Sequence, residues 1–222
     1  MKPADKIVIA IDGGAGTGTS TAAEGVARTL SLPHLNTGSM YRALAWEATR
    51  QGLDLNDETA CTLLAETAEM ELDGGTVARI NGHDVRKQLY AEGMGPRASD
   101  ISGLVGVRRA MVQLQRAIAL ERGAVMEGRD IGTNVFPDTP HKFFFTCDPK
   151  ERMRRVNAGG RHHETVKSLL ARDAADEAHA HGTFKRHEEA IAIDTTNLTA
   201  AEVIATIIER VIKTTGRTTL QD

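Results

Sequence analysis

Hydrophobic and polar positions along the chain predict strands and helices that follow one another. The apolar run at residues 7–12 is typical of a buried strand, and residues 20–31 place small and apolar side chains on one face of a helix. A short strand at 32–35 and helices at 39–51 and 58–68 continue the pattern. Strands and helices that alternate in this way predict an α/β domain built on a parallel sheet.

The pattern changes in the middle of the chain. Two short apolar segments, 70–72 and 77–81, flank a glycine-rich turn and predict a hairpin, and a long helix is predicted near residues 107–121. This stretch has the character of an insertion. The earlier alternation then resumes, with predicted strands at 124–127, 142–147 and 190–194 and predicted helices at 149–157, 164–179 and 200–213.

The first predicted strand leads into a glycine-rich loop. Its pattern, Gly13-x-x-x-x-Gly18 followed by Thr19 and Ser20, matches a phosphate-binding loop except that Thr19 stands where such a loop has lysine. Glycines let backbone N–H groups approach a polyphosphate, and the next helix adds the partial positive charge of its N-terminus. Ser20 is placed to ligate Mg²⁺, whereas a tight turn without a ligand is the alternative interpretation. We expect the ATP phosphates to contact Gly13, Gly14, Ala15, Gly16, Thr17, Gly18, Thr19, Ser20 and Thr21.

Two further polar motifs stand at predicted strand ends. The segment 36–42 includes Thr37 and Arg42 and begins a helix, so that an N-cap with a surface arginine is the alternative to a ligand site. In the segment 126–138, Arg129 and Asp130 follow a strand at the end where open α/β sheets bind ligands. A guanidinium beside a carboxylate suits a phosphate and a polar ring, although a surface ion pair is the simpler alternative.

Composition limits the possible classes of function. The 222 residues suffice for one α/β domain with a lid or small insertion, and the net charge of −3 argues against binding to nucleic-acid polymers. Cys61 and Cys147 are too few for a disulfide framework, and no segment reaches the roughly 18 apolar residues of a membrane span. Because a signal-peptide pattern is also absent, we expect a cytoplasmic protein that binds no membrane, and we expect it to be a monomer.

Taken together, the motifs resemble those of the bacterial cytidylate kinases, which are P-loop nucleoside monophosphate kinases. The family pattern Asp-Gly-Pro-Ser-Gly-x-Gly-Lys-x-Thr is similar to residues 12–21, and Asp-Ser/Thr-Gly-Ala-x-Tyr-Arg is similar to 36–42. The most specific match is Asp-Gly-Arg-Asp-x-Gly-Thr-x-Val-Phe-Pro-Asp with residues 127–138. Arg-Asp-x-x-Asp of the family's lid resembles residues 172–176.

The resemblance implies a fold, a reaction and a site. It implies a P-loop nucleoside monophosphate kinase fold over residues 1–222, with a core (1–68, 123–156 and 188–222), a monophosphate-binding insertion (69–122) and a small lid (157–187). The implied reaction moves the γ-phosphoryl group of ATP to CMP or dCMP with Mg²⁺. The implied acceptor site is Thr37, Tyr41, Arg42, Ser99, Arg116, Arg129, Asp130, Arg172 and Asp176. Within it, Thr37, Arg116 and Asp130 face the cytosine, and Tyr41 either walls the pocket or packs in the core. The expected catalytic cations are Arg42, Arg129, Arg155 and Arg172. Arg152 shares one face of the predicted helix at 149–157 with Arg155, and both are expected near the donor.

The chain also departs from the family pattern near the donor phosphates. Thr19 replaces lysine, Gly14 and Ala15 replace Pro-Ser, and Asn36 and Glu127 each replace aspartate. These changes leave two alternatives open, a kinase for another nucleoside monophosphate and a nucleotide-binding regulator with impaired catalysis. If the chain is an active kinase, another cation is expected to replace the lysine, and the candidates are Arg161, Arg172 and Lys185.

Overall fold

The computed structural model describes residues 6–160, 165–178 and 184–215. In chain order its strands are β1 (Val8–Gly13), β2 (His34–Asn36), β3 (Met70–Asp73), β4 (Thr76–Ile80), β5 (His83–Asp84), β6 (Ala124–Gly128), β7 (His141–Thr146) and β8 (Ile191–Asp194). Its α-helices are α1 (Thr19–Leu30), α2 (Thr37–Arg50), α3 (Glu58–Thr67), α4 (Met94–Gly103), α5 (Val105–Arg122), α6 (Pro149–Ala158), α7 (Val166–Ala178) and α8 (Ala200–Thr215).

The central sheet is parallel and has the strand order β2-β6-β1-β7-β8. β1 lies in the middle, pairs with β6 and β7, and is buried along its whole length. A strand covered on both faces needs apolar side chains throughout, which explains the uninterrupted apolar run in the sequence. The predicted α/β fold with a parallel sheet is therefore confirmed.

Apolar clusters cover the two faces of the sheet. On one face, α1 and α8 pack over Ile9, Ile11 and Phe143, which are almost completely buried. On the other face, Met126 and Met40 belong to a larger cluster that continues into α3 and α5. With both faces covered, the carboxyl ends of β1, β2 and β6 form the edge of the sheet that carries the polar motifs.

Several elements differ in extent from the sequence predictions. The second strand is His34–Asn36 and not 32–35, and the second helix begins at Thr37 because the Asn36 side chain accepts a hydrogen bond from the Ser39 N–H at 2.9 Å. The predicted hairpin is present as β3 and β4, and the short β5 extends it to an antiparallel sheet of three strands. The remaining elements agree with the predictions to within a few residues at their ends.

The sequence pattern did not predict the π-helical turn at Ile131–Val135. Asp12, at the end of β1, accepts hydrogen bonds from the N–H groups of Ile131 and Gly132 at 2.8 Å each. The turn is therefore fixed to the central strand by a buried carboxylate. Burial raises the pKa of Asp12 to about 7, although these two N–H donors act in the opposite direction.

None of the helices in the described ranges is both long enough and apolar enough to cross a membrane. The boundaries predicted for the core, insertion and lid remain predictions. Arg161 of the lid lies outside the described residues.

Candidate active site

The glycine-rich loop forms one wall of a cavity of about 550 Å³. Gly16 and Gly18 of the loop have φ values of +80° and +97°, which glycine adopts without strain. Thr17 closes the loop, because its N–H and its hydroxyl both donate to the Gly14 carbonyl, at 3.2 and 2.8 Å. Its side chain is buried and does not line the cavity. The other predicted phosphate-binding residues all do, namely Gly13, Gly14, Ala15, Gly16, Gly18, Thr19, Ser20 and Thr21.

A second cavity, of about 90 Å³, lies next to the first. We call it the acceptor cavity, after the predicted acceptor residues that line it. Its walls come from α2, α4, α5, α7 and the end of β6. Of the predicted acceptor residues, it brings together Thr37, Tyr41, Arg42, Ser99, Arg129, Asp130, Arg172 and Asp176. Asn36 caps α2, as the alternative for segment 36–42 proposed, but Arg42 lines both cavities and is not only a surface charge. The surface-pair alternative for Arg129 and Asp130 does not account for this convergence.

Two cations belong to both cavities. Arg42 and Arg129 line the loop cavity and the smaller cavity alike. Arg129 donates to the Gly13 carbonyl of the loop, and the Arg42 guanidinium lies 5.0 Å from the centre of the Tyr90 ring. A positively charged boundary thus separates the space beside the loop from the space beside Asp130.

Helix α7 contributes a carboxylate to this boundary. Asp176 accepts hydrogen bonds from Arg129 Nε at 2.9 Å and from the Ser99 hydroxyl at 2.7 Å. Asp176 therefore connects α7 to α4 and β6. The Arg129 guanidinium also lies 5.0 Å from the centre of the Phe184 ring, so that both Asp176 and Phe184 contact it.

The structure does not bring Arg116 to either cavity. Its guanidinium donates to the backbone carbonyls of Val135 and Asn134, at 2.7 and 2.9 Å. Arg108, which the sequence analysis missed, lines the acceptor cavity instead and donates to Asp130 Oδ2 at 2.7 Å. Its Nε–H is buried and has no hydrogen-bond acceptor among the residues that the structure describes.

Tyr41 is partly buried in the wall of the acceptor cavity. Burial raises the pKa of its hydroxyl to about 12. Tyr41 is therefore a neutral wall of the acceptor cavity at physiological pH. It also packs against the main apolar cluster, so that both interpretations from the sequence apply to it.

Arg155 lies at the opposite end of the loop cavity. Its Nη2 donates to the Thr195 carbonyl at 2.6 Å and its Nε to Glu151 at 2.8 Å. These bonds hold the guanidinium beside Thr17 and Gly18, where it lines both the loop cavity and a neighbouring cavity of about 570 Å³. Lys185, by contrast, is exposed, and Arg172 lines the acceptor cavity.

Ser20 and Glu127 form a polar pair at the start of α1. The Ser20 hydroxyl donates to Glu127 Oε2 at 2.6 Å, and His34 Nε2 lies 3.4 Å from Oε1 of the same carboxylate. No cluster of three or more His, Cys, Asp or Glu side chains occurs within the described ranges. Mg²⁺ needs only one or two protein oxygens when phosphates and water complete its coordination, so that Ser20 and Glu127 fit this ion.

Comparison with known proteins identifies similar sequences over nearly the whole chain. A family model described as cytidylate kinase matches residues 9–213. The chain is 40% identical to the cytidylate kinase of Solibacter usitatus, over 92% of this chain and 91% of that protein. It is 36% identical to the cytidylate kinase of Geobacter sp. strain M21, over 93% of each chain. It is 37% identical to that of Caldanaerobacter subterraneus, over 94% of this chain and 96% of the other.

Proposed function

Because the chain belongs to the cytidylate kinase family, a family of phosphotransferases that act on CMP, we propose that it transfers the γ-phosphoryl group of ATP to CMP or dCMP with Mg²⁺. The observation that carries this proposal is the sharing of Arg42 and Arg129 between the two cavities. A phosphoryl group moving from one cavity to the other would pass between these guanidinium groups.

The chemistry of phosphoryl transfer agrees with this arrangement. The protein has little covalent work to do, because catalysis comes from aligning two anions and from neutralising the charge that develops on the transferred group. Arg42 comes from α2 and Arg129 from the end of β6, so that the two cations approach from different elements. Because these cations are already in position before the reaction, they can stabilise the charge of the transition state without moving.

The acceptor cavity offers hydrogen-bonding groups that are complementary to a cytosine. The edge of this base presents an amino donor beside a ring nitrogen and a carbonyl oxygen, which are acceptors. Asp130 can accept from the amino group, and the Arg108 guanidinium, which lines the same cavity, can donate to an acceptor. Uracil has the opposite pattern at two of these positions, so that the same pair disfavours UMP. Arg172 and Asp176 then remain for the sugar and phosphate.

The donor phosphates are proposed to lie against the loop, with Mg²⁺ held by Ser20 and Glu127. When bound, Mg²⁺ neutralises phosphate charge and orients the donor. Thr37 contributes indirectly, because its hydroxyl donates to the Glu127 carbonyl at 2.7 Å and fixes the end of β6. Helix α7, with Asp173 and Asp176, covers the cleft and excludes water that would otherwise accept the phosphoryl group.

The proposal includes a monomer that acts in the cytoplasm on free nucleotides. Cys61 and Cys147 are free thiols, as a reducing compartment favours. The net charge of −3 suits small nucleotides better than nucleic-acid polymers.

A coupled assay of ADP release tests the proposal. Purified protein, Mg²⁺ and ATP or GTP are mixed with CMP, dCMP, UMP, AMP or GMP in turn. We expect turnover with CMP or dCMP that exceeds turnover with each other acceptor by at least tenfold, as hydrogen-bond readout of the base predicts. An Asp130→Asn variant is the matched control, because it keeps the shape and removes the charge. Turnover of another base would favour the alternative kinase, and tight binding without turnover would favour the regulator.

A further inference from the structure

Arg152 of α6 lies directly against the phosphate-binding loop. Its Nε donates to the Ala15 carbonyl at 2.8 Å, and the residue is only 7% exposed. The backbone of the same residue also contacts the loop, because a Cβ placed on Gly16 would come within 2.7 Å of the Arg152 carbonyl oxygen. Helix α6 therefore touches the loop at two successive points, once through a side chain and once through its backbone.

Asp173 of α7 holds the Arg152 guanidinium in place. Arg152 Nη2 donates to Asp173 Oδ2 at 2.6 Å. The other oxygen, Oδ1, is 3.4 Å from Arg129 Nη2, and Arg129 in turn donates to the Gly13 carbonyl. One buried carboxylate thus connects two of the arginines that bind loop carbonyls. The loop is fixed at Gly13 and Ala15 by side chains that share one anchor.

Gly14 provides the space for this arrangement. A Cβ at Gly14 would lie 2.8 Å from Arg152 Nη2 and 3.0 Å from Asp173 Oδ2. These distances are too short for carbon, so that any larger residue would displace the ion pair. Gly14 and Thr19 are also both positions at which this loop departs from the cytidylate kinase pattern, which has proline and lysine there.

We propose that Arg152, admitted by Gly14 and anchored by Asp173, is a positioning residue that preorganises the phosphate-binding loop and so compensates for the lysine that Thr19 replaces. The proposal rests on the proposed function, since it assigns the loop to the donor phosphates. Arg152 does not line the loop cavity and acts through the backbone. With Gly13 and Ala15 carbonyls held by guanidinium groups, the loop loses less freedom when a polyphosphate binds its N–H groups.

Binding of a fluorescent ADP analogue with Mg²⁺ is the primary test, because it does not depend on turnover of CMP. We expect Arg152→Gln to raise the dissociation constant about tenfold, the loss typical of one ionic hydrogen bond. Arg154→Gln is the matched control in the same helix, since Arg154 is 71% exposed and bonds only to Glu151 among the described contacts. The control is expected to change binding by less than about twofold.

A double-mutant cycle separates compensation from simple loss of structure. Thr19→Lys is expected to tighten ADP binding much more in the Arg152→Gln background than in the original chain, because the lysine is redundant where Arg152 is present. Gly14→Ala, which leaves every charge in place, is expected to weaken binding as Arg152→Gln does. Arg152→Lys tests whether charge alone suffices and is expected to restore part of the affinity.

Thermal melting and acceptor kinetics complete the design. The variants are compared at temperatures at least 10 °C below their melting points, so that a poorly folded variant is recognised. A positioning role raises the KM for ATP more than the KM for CMP, whereas general loosening raises both. Equal ADP affinity in Arg152→Gln and Arg154→Gln, or an equal effect of Thr19→Lys in both backgrounds, would overturn the inference. Absence of CMP turnover alongside these binding changes would refute the proposed function alone.

Discussion

The exchange of Arg108 for glutamine, compared with the same exchange at Arg116, distinguishes the two arginines of α5. Arg108 is buried against Asp130, and their side chains are only 11% and 10% exposed. Arg116 contacts backbone carbonyls outside both cavities. The two substitutions remove the same charge from the same helix, so that a difference between them reports the position of the guanidinium.

The expected magnitude follows from these contacts. An ionic hydrogen bond between nearly buried groups contributes about 1.5–3 kcal/mol, which corresponds to about a 10- to 100-fold decrease in kcat/KM for CMP. Arg108→Gln also removes the cation that pairs with the Asp130 carboxylate. The carboxylate is then held less firmly in the orientation that faces the base. Arg116→Gln keeps an amide that can donate to one carbonyl, so that we expect less than a threefold change in kcat/KM and about 1 kcal/mol of lost stability.

The assay is ADP release with CMP varied at saturating ATP, accompanied by thermal melting of each variant. Arg108→Gln should raise the KM for CMP and reduce the preference for CMP over UMP, because the donor side of the base contact is lost. If Arg116→Gln caused the large loss and Arg108→Gln left CMP kinetics within twofold, the assignment of the acceptor cavity would be wrong. An equal loss in both variants with lowered melting temperatures would indicate that α5 acts only as structure.

Three other perturbations test separate parts of the structure. Ser20→Ala should raise the Mg²⁺ concentration needed for half-maximal rate about tenfold, measured by titrating Mg²⁺ at fixed ATP, whereas Ser20→Thr should not. Arg50 holds the pKa of buried Glu47 at about 2, below its usual 4.5, so that this pair stabilises the fold above pH 4.5 and the contribution is lost as the pH falls toward 2. Glu47→Gln should therefore lower the free energy of unfolding by up to about 2 kcal/mol at pH 7 and by far less at pH 2.5. This figure allows for solvent screening at Arg50, and urea unfolding at the two pH values measures it. Gly75→Ala should destabilise the protein by more than about 2 kcal/mol in the same assay, because Gly75 has φ +87° and its Cβ would lie 2.4 Å from the His34 carbonyl oxygen.

The sequence predicted best what local pattern determines. The loop at residues 13–20 and the strand before it depend on glycine spacing and an apolar run, and both lie where predicted. The Gly-Arg-Asp motif at 128–130 was also placed correctly at a strand end. Such features need only a few neighbouring residues, so that one sequence suffices to find them.

Local pattern could not decide which arginine of α5 reaches the acceptor cavity. Arg108 and Arg116 are eight residues apart, and at about 100° per residue their side chains differ by roughly 80° around the helix. Which of the two faces Asp130 depends on how α5 packs against the turn at Ile131–Val135. That turn was not predicted, since it is fixed by Asp12, which lies far away in sequence.

Arg152 and Arg155 were expected near the donor phosphates, but Arg152 was not among the candidates for a substitute cation. Those candidates, Arg161, Arg172 and Lys185, were chosen as side chains that could enter the cavity. Arg152 instead contacts the loop from α6, and this contact is possible only because Gly14 has no side chain. Phosphate binding is by itself a sufficient reason for a glycine in this loop. The sequence therefore gave no separate indication that Gly14 also makes room for Arg152.

The shared cations have a further consequence for how the two substrates affect each other. In the described part of the chain, the basic side chains that line the loop cavity are Arg42, Arg129 and Arg155, and the first two also line the acceptor cavity. A donor and an acceptor phosphate bound together repel each other, and cations between them reduce that repulsion. A lysine at position 19 would be a cation that contacts the donor alone. With Thr19, neutralisation of the donor depends more on groups that also hold the acceptor. Substitution of Arg42 or Arg129 should therefore weaken the binding of both substrates, whereas substitution of Arg155 should weaken the binding of the donor alone.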